Sequence, residues 1–239
     1  MNDIQKQTKT KFVPLLIFAV AMGFLEAIVV VYLRELYYPG GFEFPLKMLP
    51  SRLMTVEIVR EFATLLMLLS VAWISGKNFL QRLSAFLFLF GIWDILYYLA
   101  LKLFLNWPES LFTWDLLFLI PIIWLAPVLA PVICSVVMIF MAFLFDYFRV
   151  KNQSPAIKSG ELGFMIAGAV IIYFTFTYDV GKLILQGNHL NSFLDLTKNQ
   201  DFITELTNYS PDSFLWGIFG TGLMMIFLGI GMFIKRNSS

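Results

Sequence analysis

Histidine and cysteine are nearly missing from this chain: His189 and Cys134 are the only ones in 239 residues. A lone histidine excludes bis-histidine haem ligation, histidine-rich zinc sites and HExxH chemistry. His189 itself reads as a solvated loop residue. A lone cysteine excludes a disulfide scaffold and a CxxC redox motif. Cys134 lies in an apolar run and reads as a small packing residue. Charge is scarce as well. Only 14% of residues are Asp, Glu, Lys or Arg, whereas soluble domains carry about 25%. The net charge of +1 leaves no basic face for nucleic acid. Walker A, Rossmann and GxSxG motifs are absent, so no cofactor, metal or nucleic-acid partner is expected.

Apolar residues fill the space: 59% are hydrophobic and the mean hydropathy is +0.78. They come in runs of about 20, the length an α-helix needs to cross about 30 Å of hydrocarbon. Alternating ten-residue strands are absent, which argues against an outer-membrane barrel. The fold class is therefore all-α, a polytopic transmembrane helical bundle. Residues 1–239 read as one integral membrane domain, with spans at about 12–33, 56–75, 83–105, 128–148, 162–180 and 214–234. The first run is too long for a signal-peptide core and lacks a small-residue cleavage site, so it reads as a retained helix.

The region Leu111–Phe148 is long for one span and short for two, and Pro121, Pro127 and Pro131 interrupt it. Basic residues decide the split. Ten Lys and Arg lie at the N-terminus, in 76–82, in 149–160 and at the C-terminus; five lie in the segments around 34–55 and 182–213. Both termini are then cytoplasmic in the cell (inner) membrane, provided Leu111–Phe148 crosses once. A half-helix or re-entrant segment at 111–126 follows on the outer side, near the interface; a seven-span reading stays open. The outer stretch 182–213 mixes Phe193, Leu194, Leu196, Phe202, Ile203 and Leu206 with polar residues, the pattern of short amphipathic helices. The glycines of the last helix (Gly217, Gly220, Gly222, Gly229, Gly231), its stripe of Ser213, Gly217 and Thr221, and Gly163 and Ala167 in the fifth suggest close helix packing.

Ionisable residues inside the spans are the functional signal, because each costs about 2.5–3.5 kcal/mol on insertion scales and turns inward. Glu26 lies in the first helix and Asp94 in the third. Asp94, Tyr98 and Lys102 share one helical face, with Tyr97 at its flank. Glu57, Arg60, Glu61 and Thr64 share a face of the second helix, and Asp115 lies in the re-entrant segment. With that orientation, all fall in the outer half of the membrane or at its centre. Glu26, Glu57, Glu61, Asp94 and Asp115 outnumber Arg60 and Lys102, even with Arg34 as a third base. At least one carboxyl is left without a cation, as a general acid, a proton carrier or a hydrogen-bond donor. Pairing of Asp94 with Lys102, and of Arg60 with Glu57 or Glu26, as glue between helices is the structural alternative.

The stretches Gly91-Ile-Trp-Asp-Ile-Leu-Tyr-Tyr and Asn106-Trp-Pro-Glu-Ser-Leu-Phe-Thr-Trp-Asp-Leu-Leu-Phe-Leu-Ile-Pro resemble a family of uncharacterised bacterial multi-pass membrane proteins over about residues 26–131. That resemblance implies no activity. A weaker similarity is to the membrane-embedded lycopene cyclases of bacteria, through a Trp-Asp-Ile segment before a Trp- and Pro-containing loop. Their Pro-x-Glu-Glu motif is replaced by Pro121-Ile-Ile-Trp, so no catalytic residue carries over.

Three functions fit these residues. One is a membrane enzyme acting on a lipid-like or isoprenoid substrate, with Glu26 and Asp94 as acid/base candidates and Glu57, Arg60, Glu61, Tyr97, Tyr98, Lys102 and Asp115 as binding residues. The second is a non-catalytic membrane subunit or assembly factor. The third is a small proton-coupled transporter. Membrane lipids, a hydrophobic small molecule and a second copy of the chain are the expected partners.

Overall fold

The computed structural model describes residues 3–152, 155–189 and 199–238. Their order is α1 (Asp3–Tyr37), α2 (Ser51–Ile74), α3 (Phe79–Leu105), β1 (Trp114–Phe118), β2 (Trp124–Pro127), α4 (Leu129–Asn152), α5 (Ser159–Gln186), α6 (Gln200–Asn208) and α7 (Trp216–Ser238). The protein is an all-α bundle with one small hairpin. Five helices are long and apolar enough to cross a membrane: α1 over Lys11–Tyr37, then α3, α4, α5 and α7. Each leaves large apolar side chains exposed, such as Ile17, Leu103, Val170 and Met224, a surface suited to hydrocarbon rather than water. The predicted span at 56–75 falls on α2, which is absent from those five. It has the length, but Arg52, Glu57, Arg60 and Glu61 occupy its first half.

Side-chain pairings set the helix directions. Phe12 meets Phe88 and Phe24 meets Phe104, so α1 and α3 run parallel. Asp94 meets Ser135 and Ser84 meets the Ala142 carbonyl, so α4 runs against α3. A Cβ on Gly168 would meet Gly222, and Arg236 bonds Glu161, so α7 runs against α5. Phe145 and Phe148 touch Phe233, which sets α7 parallel to α4. Helix α2 packs on α3, and Arg82 at the start of α3 lies over the Trp73 ring at the end of α2, so those two also run in opposite directions; α1, α3 and α5 therefore point one way and α2, α4 and α7 the other. Both termini lie at one end of the bundle, here called the termini end.

At the termini end, Asp146 ties three helices. Lys11 Nζ is 3.4 Å from its Oδ1 and 3.2 Å from Ser84 Oγ, and Arg149 Nε donates to the same Oδ1 at 2.9 Å. Between α5 and α7, Arg236 Nε donates to Glu161 Oε1 at 2.7 Å. The α5–α7 contact is closest at Gly168 and Gly222, each with the other's carbonyl where a Cβ would go. Of the glycines expected to pack, Gly222 and Gly229 lie against α5, whereas Gly163, Gly217, Gly220 and Gly231 face open space.

At the opposite end, the segment 111–126 forms an antiparallel hairpin, not a half-helix. Trp114 pairs with Pro127, Asp115 with Ala126 and Leu116 with Leu125. Pro121 and Pro127 forbid a continuous helix, whereas paired strands satisfy each other's backbone groups. Pro131 is the third residue of α4, a position that needs no backbone donor. The hairpin dips into the bundle and returns: its root bonds through Val128 N to the Thr113 carbonyl, while Phe118 near its tip packs on Phe90 and Trp93. Phe90 lies fifteen residues before the end of α3, so the tip reaches about 22 Å below that end. The chain from 111 to 148 therefore crosses the bundle once.

Helix α6 caps this end, with Phe202 and Leu206 buried on Val180, Ile184 and Leu46. It realises the amphipathic helix expected within 182–213; Phe193, Leu194 and Leu196 lie outside the described residues. His189 is not solvated. It is buried, its Nε2 lies 3.2 Å from Glu205 Oε2, and its ring meets Phe202 edge-on.

Candidate functional site

Beneath that end lies a cavity of about 200 Å³, walled by α1, α2, α3, α4 and the hairpin. Helices α1 and α2 both flank α3, with few close backbone contacts to each other. The seam between them is bridged by side chains. Arg60 Nε donates to Glu57 Oε2 at 2.8 Å, and Arg60 Nη1 also bonds Glu26. Thr64 Oγ1 donates to the other oxygen of Glu26. One guanidinium thus serves two carboxylates.

A second ion pair anchors the hairpin. Arg34, in the last turn of α1, donates through Nη2 to Asp115 Oδ1 at 2.9 Å. Tyr98 OH donates to Asp115 Oδ2 at 3.2 Å. The guanidinium lies 3.7 Å from the Trp107 ring centre and 4.3 Å from that of Phe42, so cation–π attraction supplements the pair. Near the mouth, Tyr38 OH accepts from Lys47 N at 2.7 Å. Burial pushes the Tyr38 phenol up from its ordinary value, which keeps it neutral.

Among the described residues, two carboxyls of the cavity, Asp94 and Glu61, form no ion pair, although Glu61 lies within the field of Arg60. Asp94 Oδ2 accepts from Ser135 Oγ at 2.7 Å. Glu61 Oε2 accepts from the backbone N–H of Leu119, in the hairpin turn, at 2.9 Å. This second bond answers a backbone donor that the sheet leaves unpaired at depth.

Glu26, Glu57, Arg60 and Glu61 all line the cavity, as do Asp94, Tyr97, Tyr98 and Asp115. Eight of the nine residues singled out from sequence are thus brought to one place. Lys102 is the exception. It is exposed, and its Nζ donates to the carbonyls of Asn106 and Pro108 at 3.2 and 3.1 Å. It caps the end of α3, and Asp94 takes Ser135 as its partner instead. Arg34, assigned to a loop, belongs to the site; its helix runs four residues past the predicted boundary. Ser135, Trp93 and Trp124 were missed, because uncharged residues in apolar runs carry no signal until the partner helix is known. Cys134 also lines the cavity. Among the described residues, no cluster of three His, Cys, Asp or Glu could hold a metal ion.

Comparisons with protein families, curated proteins and solved structures return no match.

Proposed function

We propose that this chain is an integral membrane enzyme that takes a lipid-like or isoprenoid molecule into the cavity and works on it with Asp94 and Glu61. The observation behind this reading is the charge pairing in the cavity. Arg60 is taken by Glu26 and Glu57, and Arg34 by Asp115, leaving Asp94 and Glu61 without an ion pair of their own beside apolar walls, although Glu61 still feels the Arg60 charge. Purely structural carboxyls would be expected to carry matching cations, because an uncompensated buried charge is costly. Glu26, a sequence candidate for acid/base work, serves instead to hold Arg60 and Thr64. The catalytic pair is therefore Asp94 and Glu61, with Ser135 and the Leu119 N–H orienting them.

The seam between α1 and α2, joined by the side chains of Glu26, Arg60 and Thr64, is the side on which we place entry from the lipid. The bundle sits in the inner membrane with the termini end cytoplasmic, in keeping with the basic residues gathered there, and the cavity in the outer half. The chain groups with the uncharacterised bacterial multi-pass proteins that its Trp-Asp-Ile and Trp-Pro-Glu-Ser stretches resemble. Native mass spectrometry of protein extracted gently from its own membrane tests the reading. A co-purifying apolar molecule, lost from a cavity-filling Met138→Trp variant, is expected; adducts retained equally by that variant would place the molecule elsewhere and sink the proposal.

A further inference from the structure

We infer that the cavity's ligand presents a neutral hydrogen-bond acceptor, such as a ketone, quinone or ester carbonyl, to Trp93 and Trp124. This rests on the reading of the cavity as a binding site and narrows what it binds. Among the described residues, four buried side-chain polar atoms lack a hydrogen-bond partner: Arg34 Nη1 and the indole nitrogens of Trp93, Trp107 and Trp124. All four are N–H donors. Despite five carboxyls around the cavity, no buried side-chain oxygen is left over.

Three of those donors belong to side chains that line the cavity; Trp107 does not. Trp93 and Trp124 pack against the same ring, Phe118, at centroid distances of 6.1 and 5.2 Å. The hairpin tip therefore carries a ring touching both indoles, whose N–H groups are enclosed as the structure stands, so a ligand reaches them only if Phe118 moves aside. An indole N–H donates and cannot accept. A buried donor without a partner is costly, so a ligand that supplies the acceptor gains relative to one that cannot.

Charge then chooses among acceptors. An anion such as a carboxylate or phosphate would enter beside Glu26, Glu57, Glu61, Asp94 and Asp115, five acids against the three cations Arg34, Arg60 and Lys47 in the wall, of which Arg34 and Arg60 are already paired. An ammonium would suit the carboxyls but leave the indole donors unanswered. A neutral carbonyl on an apolar body satisfies both conditions, and the surrounding Phe90, Phe118 and Phe176 rings suit that body.

The test uses the full chain in a maltoside detergent and four probes sharing a twelve-carbon tail: methyl dodecanoate, dodecanoate, dodecylammonium and dodecane. Apparent affinities are read by native mass spectrometry. Methyl dodecanoate should bind tightest. Trp93→Phe and Trp124→Phe keep the ring and remove the donor, and each should weaken it about five- to tenfold. Trp107→Phe removes an equally unpartnered donor outside the cavity and should leave affinity unchanged. If dodecanoate, dodecylammonium or dodecane binds as tightly as the ester, or if the Trp93 and Trp124 variants match Trp107→Phe, the acceptor inference is overturned while the cavity remains a binding site. If no probe binds better than to Met138→Trp or Val30→Trp, whichever elutes as wild type, the proposed function falls with it.

Discussion

Asp94 and Asp115 are both enclosed carboxyls, yet neutralising them should have opposite consequences. Asp115 holds the Arg34 guanidinium on one oxygen and the Tyr98 hydroxyl on the other. Asp115→Asn leaves Arg34 buried without a counter-charge, which costs about 3–5 kcal/mol. A large fall in thermal stability in detergent is expected, with much of it recovered in Arg34→Leu/Asp115→Leu, where both members are removed. Asp94 has only Ser135, and an amide oxygen accepts from that hydroxyl as well as a carboxylate does. Asp94→Asn should therefore change stability by about 1 kcal/mol or less, and the protein should insert and accumulate normally. Its function should nevertheless be lost, because the amide no longer carries a titrating proton. Complementation of a deletion strain, read beside protein level, checks this. An active, abundant Asp94→Asn protein would remove Asp94 from the chemistry; loss of protein together with function would make it structural glue.

At the scale of elements, what the sequence disclosed depended on whether the signal was local. Five of the six expected spans coincide with helices long and apolar enough to cross a membrane, and the basic residues around 111–148 pointed to a single crossing there. The hairpin was not legible. Trp114–Phe118 and Trp124–Pro127 are short apolar runs that fit a strand or a broken helix equally well, and only the pairing across the turn distinguishes them. Helix contacts were similarly hidden. Gly163, Gly217 and Gly222 look alike in sequence, but a Cβ at Gly222 would lie 2.9 Å from the Gly168 carbonyl, while Gly163 and Gly217 have nothing within 4 Å. Gly168→Val and Gly222→Val should each force α5 and α7 apart, lowering stability by about 1–3 kcal/mol, the range for overpacked sites. Gly163→Ala and Gly217→Ala should be neutral or slightly stabilising, since alanine is the better helix former. Detergent melting curves of the four variants separate the two pairs; equal effects would mean that the α5–α7 contact lies elsewhere.

For the whole molecule, the alternation of α1, α2, α3, α4, α5 and α7 brings six rods side by side with both termini at one end. The hairpin enters and leaves from the other end and adds no crossing. Basic residues follow that division. Lys11, Lys77, Arg82, Arg149, Lys151, Lys158, Lys235 and Arg236 belong to the termini end, where Asp146 and Glu161 answer three of them. Helix α2 is the weak member. Its first half carries four charged residues, and three of them, Glu57, Arg60 and Glu61, are partnered within the bundle rather than by lipid. It can cross beside α3 only while those partners stay in place. A single cysteine in a Cys134→Ser background tests the arrangement in intact cells with a membrane-impermeant maleimide. Gly40→Cys, between α1 and α2, should react at once. Pro155→Cys, between α4 and α5, should react only after the cells are opened. Reaction of position 155 in intact cells would reverse the orientation or add a crossing. Equal protection of both positions would deny that α2 and its flanking loop reach the outer face, and would reduce the bundle to the five helices whose composition alone suffices to span.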